Sequence, residues 1–176
     1  QHQHLTEQTV NTMAIIILSV KHEPIAQPRQ RFSARGGFAR AYVDKKHPVN
    51  FYKRAVREET TGMDIMLGPL KVTIWCYFQR PKGHFKTKKG AVTDVLKPSA
   101  PKFRTNTPDN DNLAKSVLDA LNPDPPGKGD YPGLYPDDKN IVDLIVHKRF
   151  ACQKNPVGTI IVLEVVTEQE DMSYML

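Results

Sequence analysis

The amino-acid sequence predicts an α+β protein. Three observations lead there. Apolar, β-branched runs recur at 14–20, 70–79, 140–150 and 159–166. Helical spacing of apolar residues occurs at 49–61 and 110–122. The segments between them are rich in proline, glycine and charge. A chain of 176 residues is long enough for one domain with its own core plus peripheral segments. We expect a disordered segment at 1–12, a folded domain over 13–167 and a tail over 168–176.

The elements follow in order. Residues 1–12 are polar and aperiodic, and His2 and His4 read as part of a frayed terminus rather than as metal ligands. The run AIIILSV at 14–20 reads as a buried strand and is far too short to cross a bilayer. It also lacks the charged start and cleavage site of a secretory signal, so a cytoplasmic, non-membrane protein is expected. Residues 21–42 carry Pro24, Pro28, Gly36 and Gly37 among four arginines and read as a loop or irregular hairpin. In 49–61, Phe51, Ala55 and Val56 recur at helical spacing, and Gly62 can end the helix.

LKVTIWCYFQ at 70–79 is a strand between Pro69 and Pro81. Residues 80–107 hold three prolines, many lysines and no sustained periodicity. They predict a mobile loop with at most a helical turn near 91–96. The clearest helix is 110–122, with Leu113, Ala114, Val117, Leu118, Ala120 and Leu121 on one arc and Asp111, Asn112, Lys115, Ser116 and Asp119 on the other. The proline-rich loop that follows cannot be helix or central strand. NIVDLIVHKRF at 140–150 is apolar on both faces and reads as an interior strand, and TIIVLEVV at 159–166 as another, joined by Asn155-Pro156-Val157-Gly158. Cys76 and Cys152 lie in apolar runs and read as reduced core thiols.

Charge is segregated along the chain. The net charge is +6, yet 21–57 carries a local +8 and 80–104 a local +7, whereas 109–143 is −5. Two basic segments flank an acidic centre, which points to a polyanionic partner. A plain excess of solvated lysines is the competing account.

The acidic centre has a pattern. Asp109 and Asp111 straddle the start of the second helix, Lys115 follows four residues after Asp111, and Asp137-Asp138 precede a strand. Gathered carboxylates repel one another unless a cation or proton neutralises them. Asp109 also reads as a simple N-cap and Asp111 as a partner of the helix dipole. Lys115 likewise reads as the i,i+4 partner of Asp111. An EF-hand is excluded, because Ala114 stands where its glycine and Ala120 where its glutamate would be. With basic segments on both sides, the natural cation is Mg²⁺, with Mn²⁺ able to substitute, and the natural substrate is a phosphodiester.

The stretch PDNDNLAKSVLDALN, followed by a loop containing Gly-Leu-Tyr and then PDDKNIVDLIVHKRF, resembles the RusA family of Holliday-junction resolvases. The strand at 14–20, Pro24 and Arg29-Gln30-Arg31-Phe32 resemble that family's first strand and its Arg-Pro-Arg segment. The resemblance implies a small mixed β-sheet with helices packed on it. It also implies a bacterial or phage-encoded homodimer that nicks four-way DNA junctions symmetrically with Mg²⁺ and no small-molecule cofactor besides. Carried over by motif, Asp109, Asp111 and Asp138 are the metal-binding aspartates, Lys115 is the helix lysine and Asp119 is a secondary aspartate. Gln27 and Gln30 depart from the pattern, and the loop 122–135 is longer than in the shortest members.

The reading is therefore a Mg²⁺-dependent endodeoxyribonuclease acting on branched DNA. Its catalytic residues are Asp109, Asp111, Asp138 and Lys115. Arg29, Arg31, Lys86, Lys88, Lys89, Lys102 and Arg104 are expected on backbone phosphates. The alternatives are a metal nuclease for other branched DNA or RNA, and a dimeric junction-binding protein that cuts nothing. Carboxylates beside phosphates weaken a pure binder, which argues against the last.

Overall fold

The computed structural model describes residues 14–29, 31–33, 40–42 and 44–167. Among these the elements run β1 (Ile15–Val20), β2 (Arg31–Ser33), β3 (Arg40–Tyr42), α1 (Pro48–Glu58), β4 (Leu70–Phe78), β5 (Phe85–Lys88), β6 (Ala91–Leu96), α2 (Asn110–Leu121), β7 (Ile141–Phe150) and β8 (Gly158–Val165). Short 3₁₀ turns occupy Lys82–His84 and Asp138–Asn140. The expected segments 1–12 and 168–176 lie outside the described residues.

The centre is a mixed sheet in the order β1-β8-β4-β7. β8 pairs antiparallel with β1 and β4, and β4 pairs parallel with β7. The α+β expectation with a mixed sheet holds. Strand alternation assigns the two faces. Val72, Ile74, Cys76, Ile161, Leu163, Leu18 and Val20 point to one side and are buried against Tyr52 and Val56 of α1 and Leu113, Val117 and Leu121 of α2. Each such side chain contributes roughly 1.5–3 kcal/mol on burial. The Tyr52 hydroxyl is satisfied inside this core by Thr159 Oγ1 at 2.8 Å.

Several expectations change. Within 80–107, expected as a mobile loop with at most a helical turn near 91–96, residues 85–96 form an antiparallel hairpin: β5 pairs with β6 around Lys89-Gly90. Both central residues are left-handed, with φ of 51° and 79°, the geometry a two-residue hairpin needs. Lysine is an uncommon tenant of that position, which hides the turn from a reading based on Asn-Gly or Asp-Gly. The irregular-hairpin option for 21–42 is realised in the pairing of β2 with β3.

In α1 the buried residues are Val49, Tyr52 and Val56, whereas Phe51 is 55% exposed. The helix is one-sided, as predicted, on a different register. Ser116 was placed on the polar arc of α2, yet it is fully buried, its hydroxyl donating to the Leu113 carbonyl at 2.8 Å. Cys76 is buried and its thiol is pushed up to about 12 by that burial, but Cys152 is exposed in the loop after β7.

The largest correction concerns the outer strands. β7 is an edge strand of the sheet rather than an interior one, and β1 is the other edge, buried on one face only. Both helices pack on the core face. The opposite face keeps Ile15, Ile17 and Ile145 exposed, at 49%, 65% and 42%. β7 looked interior because its apolar residues fall on both faces, but Val142 and Leu144 are exposed too.

Further along the open face, the rings of Trp75 and His147 stack with centroids 3.6 Å apart. Burial and then the Arg149 charge lower the pKa of His147 from its ordinary value. The folded state thus favours neutral His147. The stability this gives is complete above the ordinary histidine pKa and is lost as pH falls through the lowered value. Trp75 is the sole tryptophan, and an imidazolium quenches indole emission on contact. Acidification should quench Trp75 with a midpoint below about 6.5, and His147→Gln should abolish the transition. A midpoint at or above the ordinary value would contradict the stacked, desolvated arrangement.

Candidate functional site

α2 begins where a proline-rich approach cannot continue as helix. Asp109 is its N-cap by backbone geometry, with φ −77° and ψ 152°, and its carbonyl accepts from Leu113 N at 3.1 Å. Its carboxylate, however, makes no capping hydrogen bond. The capping account of Asp109 therefore explains the backbone and leaves the side chain exposed and unspent. Asp111, in the first turn, is exposed as well.

The approach to Asp109 is held by two cations. Lys148 on β7 donates from Nζ to the carbonyls of Asn106 at 2.8 Å and Pro108 at 2.7 Å. Arg104 donates to the Thr107 carbonyl at 2.8 and 3.1 Å and covers the Phe78 ring at 4.2 Å. Residues 102–104 run along the free edge of β7: Phe150 N donates to the Lys102 carbonyl at 3.0 Å, and Phe103 bridges Arg149. This strap blunts an otherwise open sheet edge. The result is an open groove of about 470 Å³ lined by Phe103, Arg104, Thr105, Asp109, Asn110, Val146, Lys148 and Arg149. Lys148 and Arg149 escaped the sequence reading because they were absorbed into an apolar strand. The run His147-Lys148-Arg149 at its end was the available signal.

Lys115 pairs with Asp119 at 3.2 Å, not with Asp111. Asp119 also takes Lys53 of α1 at 3.0 Å, so one carboxylate holds two lysines. Asp137 caps the 3₁₀ turn before β7, accepting from Lys139 N at 3.0 Å. That hydrogen bond, aided by the Lys139 charge, holds its carboxyl below the usual carboxylate range. Asp138 is exposed and takes no part in this cap. Its charge acts on buried Tyr135, whose hydroxyl donates to the Leu118 carbonyl at 3.1 Å. Burial, and after it the Asp138 charge, raise the pKa of that hydroxyl, while Asp109 and Asp111 sit at the start of α2.

The loop 122–135 delivers Asp137 and Asp138 to β7. It is tied down by Arg57–Asp124 at 2.9 Å, by Tyr131–Thr60 at 2.9 Å and by Leu134 N to the Leu121 carbonyl at 2.9 Å. Gly133 is required there: at φ 81° a Cβ would come within 2.7 Å of Pro123 N.

Among the described residues no three His, Cys, Asp or Glu side chains gather closely enough to hold a metal. The donor chemistry of Asp109, Asp111 and Asp138 suits a hard divalent cation, being exposed carboxylate oxygens of which Asp109's is uncommitted. With no preassembled cage among the described residues, the fit lies in donor type. Of the other expected contacts, Arg29, Lys86, Lys88, Lys89 and Lys102 are exposed, Arg104 is half-buried in the strap, and the side chain of Arg31 lies outside the described residues. Gln27, next to Arg29 across Pro28, donates its backbone N–H to the Asn112 carbonyl at 2.9 Å, which brings that segment alongside the start of α2.

A family model for Endodeoxyribonuclease RusA matches residues 21–163. The chain belongs to the RusA family. It is also 32% identical over 149 residues to an uncharacterised protein of Bacillus subtilis strain 168, YqaN, covering 79% of this chain and 90% of that one. The RusA match identifies a Holliday-junction endonuclease family and spans every element from the segment after β1 into β8. No helix of the described residues is long and apolar enough to cross a membrane.

Lys148→Met should lower the RusA-type nicking rate about 100-fold, because a shift of about 1 Å in a positioned group costs that much. Folding should persist, since the Lys148 head group lies at the edge of the sheet. Nicking of a labelled junction, read beside a thermal melt, checks this; an undiminished rate would show that the brace is dispensable.

Proposed function

We propose that this RusA-family chain is a Mg²⁺-dependent resolvase that cuts four-way DNA junctions by paired, symmetric nicks, with Mn²⁺ able to serve in place of Mg²⁺. The observation that carries this reading is the uncommitted Asp109 carboxylate in a groove that Arg104, Lys148 and Arg149 also line. A carboxylate among cations that could bind phosphate is a poor choice for a pure binder and a good one for holding a metal against a phosphodiester.

Asp109, Asp111 and Asp138 would hold the metal, which when bound supplies an activated water and neutralises charge developing on the phosphate. Lys115, oriented by Asp119, would hold a phosphate oxygen or the nucleophile. Arg104, Lys148 and Arg149 would seat the scissile strand. Arg29, Arg31, Lys86, Lys88, Lys89 and Lys102 would contact more distant phosphates, which give affinity without sequence information. The β5–β6 hairpin presents Lys86, Lys88 and Lys89 to solvent as a basic surface.

Paired nicking needs two sites. A second copy of the chain covering Ile15, Ile17 and Ile145 on the open face would supply the other site through a two-fold axis. Those exposed isoleucines support the homodimer.

The decisive experiment incubates the protein with a labelled synthetic four-way junction, with and without Mg²⁺, and compares the linear duplex. Asp109→Asn and Asp111→Asn should abolish nicking and leave junction binding intact or tighter, because a repulsive charge near phosphate is removed and the Asp109 carboxylate makes no capping hydrogen bond for the fold to lose. Near-wild-type cutting by either variant would sink the catalytic assignment. Asp138→Ala should collapse the rate and Asp137→Ala reduce it modestly, since Asp137 is spent on the turn. The reverse order would transfer the third metal ligand to Asp137.

A further inference from the structure

We propose that Phe103 and Arg149 form a stacking subsite for an unpaired nucleobase of branched DNA, at the lip of the Asp109 groove. The inference rests on the nuclease reading above and adds to it a means of telling a branch point from a duplex.

The argument starts from the ring. Phe103 is 58% exposed and fills no part of the core. An exposed aromatic is unremarkable by itself, but this one is fixed in place. Its backbone bridges Arg149 on β7, and the residues on either side are hydrogen-bonded to the same strand, Lys102 O from Phe150 N at 3.0 Å and Arg104 N to Lys148 O at 3.5 Å. The Arg149 guanidinium lies against the ring, 4.5 Å from its centroid. Arg149 is held in turn: it donates to the Lys148 carbonyl at 3.0 Å and lies 5.8 Å from the Trp75 centroid, and Trp75 stacks on His147. A row of planar groups thus crosses the open face and ends in a ring with solvent beside it.

The position decides the ligand. Phe103 stands six residues before Asp109 and lines the same groove as Asp109, Arg104 and Lys148. Three cations there suit a phosphate, and the base attached to that phosphate's sugar is the apolar, planar group nearest to hand. In a regular duplex both faces of every base are already stacked. At a branch point a base can turn out and offer a face. A pre-positioned ring backed by a cation rewards that state and gives a duplex nothing. Stacking of one base on an aromatic side chain changes affinity by about 5- to 150-fold.

The test uses the full chain in EDTA, so that binding is read without cutting. Synthetic four-way junctions carry one abasic residue in turn at each nucleotide flanking the branch point, and a linear duplex serves as control. Phe103→Ala should weaken junction binding about 5- to 150-fold with little change on duplex, and Phe103→Trp should retain the junction affinity. At one abasic position the wild type should lose that same factor while Phe103→Ala loses nothing more, because the stacking partner is already gone. Losses that add at every position would overturn the subsite, as would equal losses on junction and duplex. A wild-type chain with no preference for the junction would instead overturn the junction-nuclease reading, and the subsite with it. A melt unchanged in Phe103→Ala excludes misfolding as the cause.

Discussion

Parallel pairing of β4 with β7 is the constraint on which the rest of the structure depends. Parallel neighbours cannot be joined by a tight turn; the chain must leave the end of β4, travel back and enter β7 from the starting end. That return path contains the β5–β6 hairpin, the strap at 102–104, α2 and the tied loop at 122–135. It passes the sheet twice. The strap runs along the free edge of β7, and α2 runs across the core face. Asp109 lies where the path turns from edge to face, and Asp138 lies where it re-enters the sheet. A short connection would have left neither aspartate near the strand that carries Lys148 and Arg149.

Electrostatics then follow from that path. Lys148 and Arg104 spend their hydrogen bonds on backbone carbonyls of residues 106–108, so they fix the approach to Asp109 without neutralising its carboxylate through a direct ion pair. Asp119 takes both Lys53 and Lys115. Exposed and half-exposed pairs of this kind contribute little stability. Their consequence is positional: Lys115 is drawn toward Asp119 and away from Asp111, which leaves Asp111 exposed without a cation of its own helix beside it. The Asp109 and Asp111 carboxylates therefore enter no ion pair among the described residues, and Asp109 shares its groove with Arg104, Lys148 and Arg149.

Much of this was legible in the residues. Period-two and period-3.6 patterns located the four sheet strands and both long helices to within a few residues, because those segments bury one face and their sequences must show it. The Asp109/Asp111 and Asp137/Asp138 pairs stood out because carboxylates so placed need a reason. What was missed was missed for physical causes. The hairpin turn at Lys89-Gly90 lacks the usual asparagine or aspartate, and β6, AVTDVL, is exposed on both sides and so has no burial pattern to display. β7 was read as interior because apolar residues on two faces resemble a buried strand, whereas here one face is core and the other is left open. Ser116 met its hydrogen-bonding need within its own helix, which no polarity scale anticipates. Lys148 was hidden by its neighbours: a lysine at the end of an apolar strand reads as a snorkelling terminus until the partners of its ammonium are known.

The one-sided sheet separates two tasks that a two-layer protein with both faces covered would have to combine. The helix-covered face holds the core and orients α2, so its residues answer to packing. The open face answers to nothing inside the chain, and its composition is not uniform. In the cross-strand register, Ile15, Glu164, Lys71 and Asp143 form the first row, Ile17, Val162, Thr73 and Ile145 the second, and Ser19, Ile160, Trp75 and His147 the third, with Tyr77 and Arg149 beyond. Charged residues, among them the Lys71–Glu164 pair at 3.6 Å, stand at the start of β4 and β7, and aliphatic residues follow in the second row. Aromatic and cationic residues gather toward their ends, on the side where the strap and the groove lie. A surface left bare for lack of a covering helix would have no reason to sort itself in this way. The sorting places a short aliphatic row between a charged row and one of planar, cation-bearing side chains.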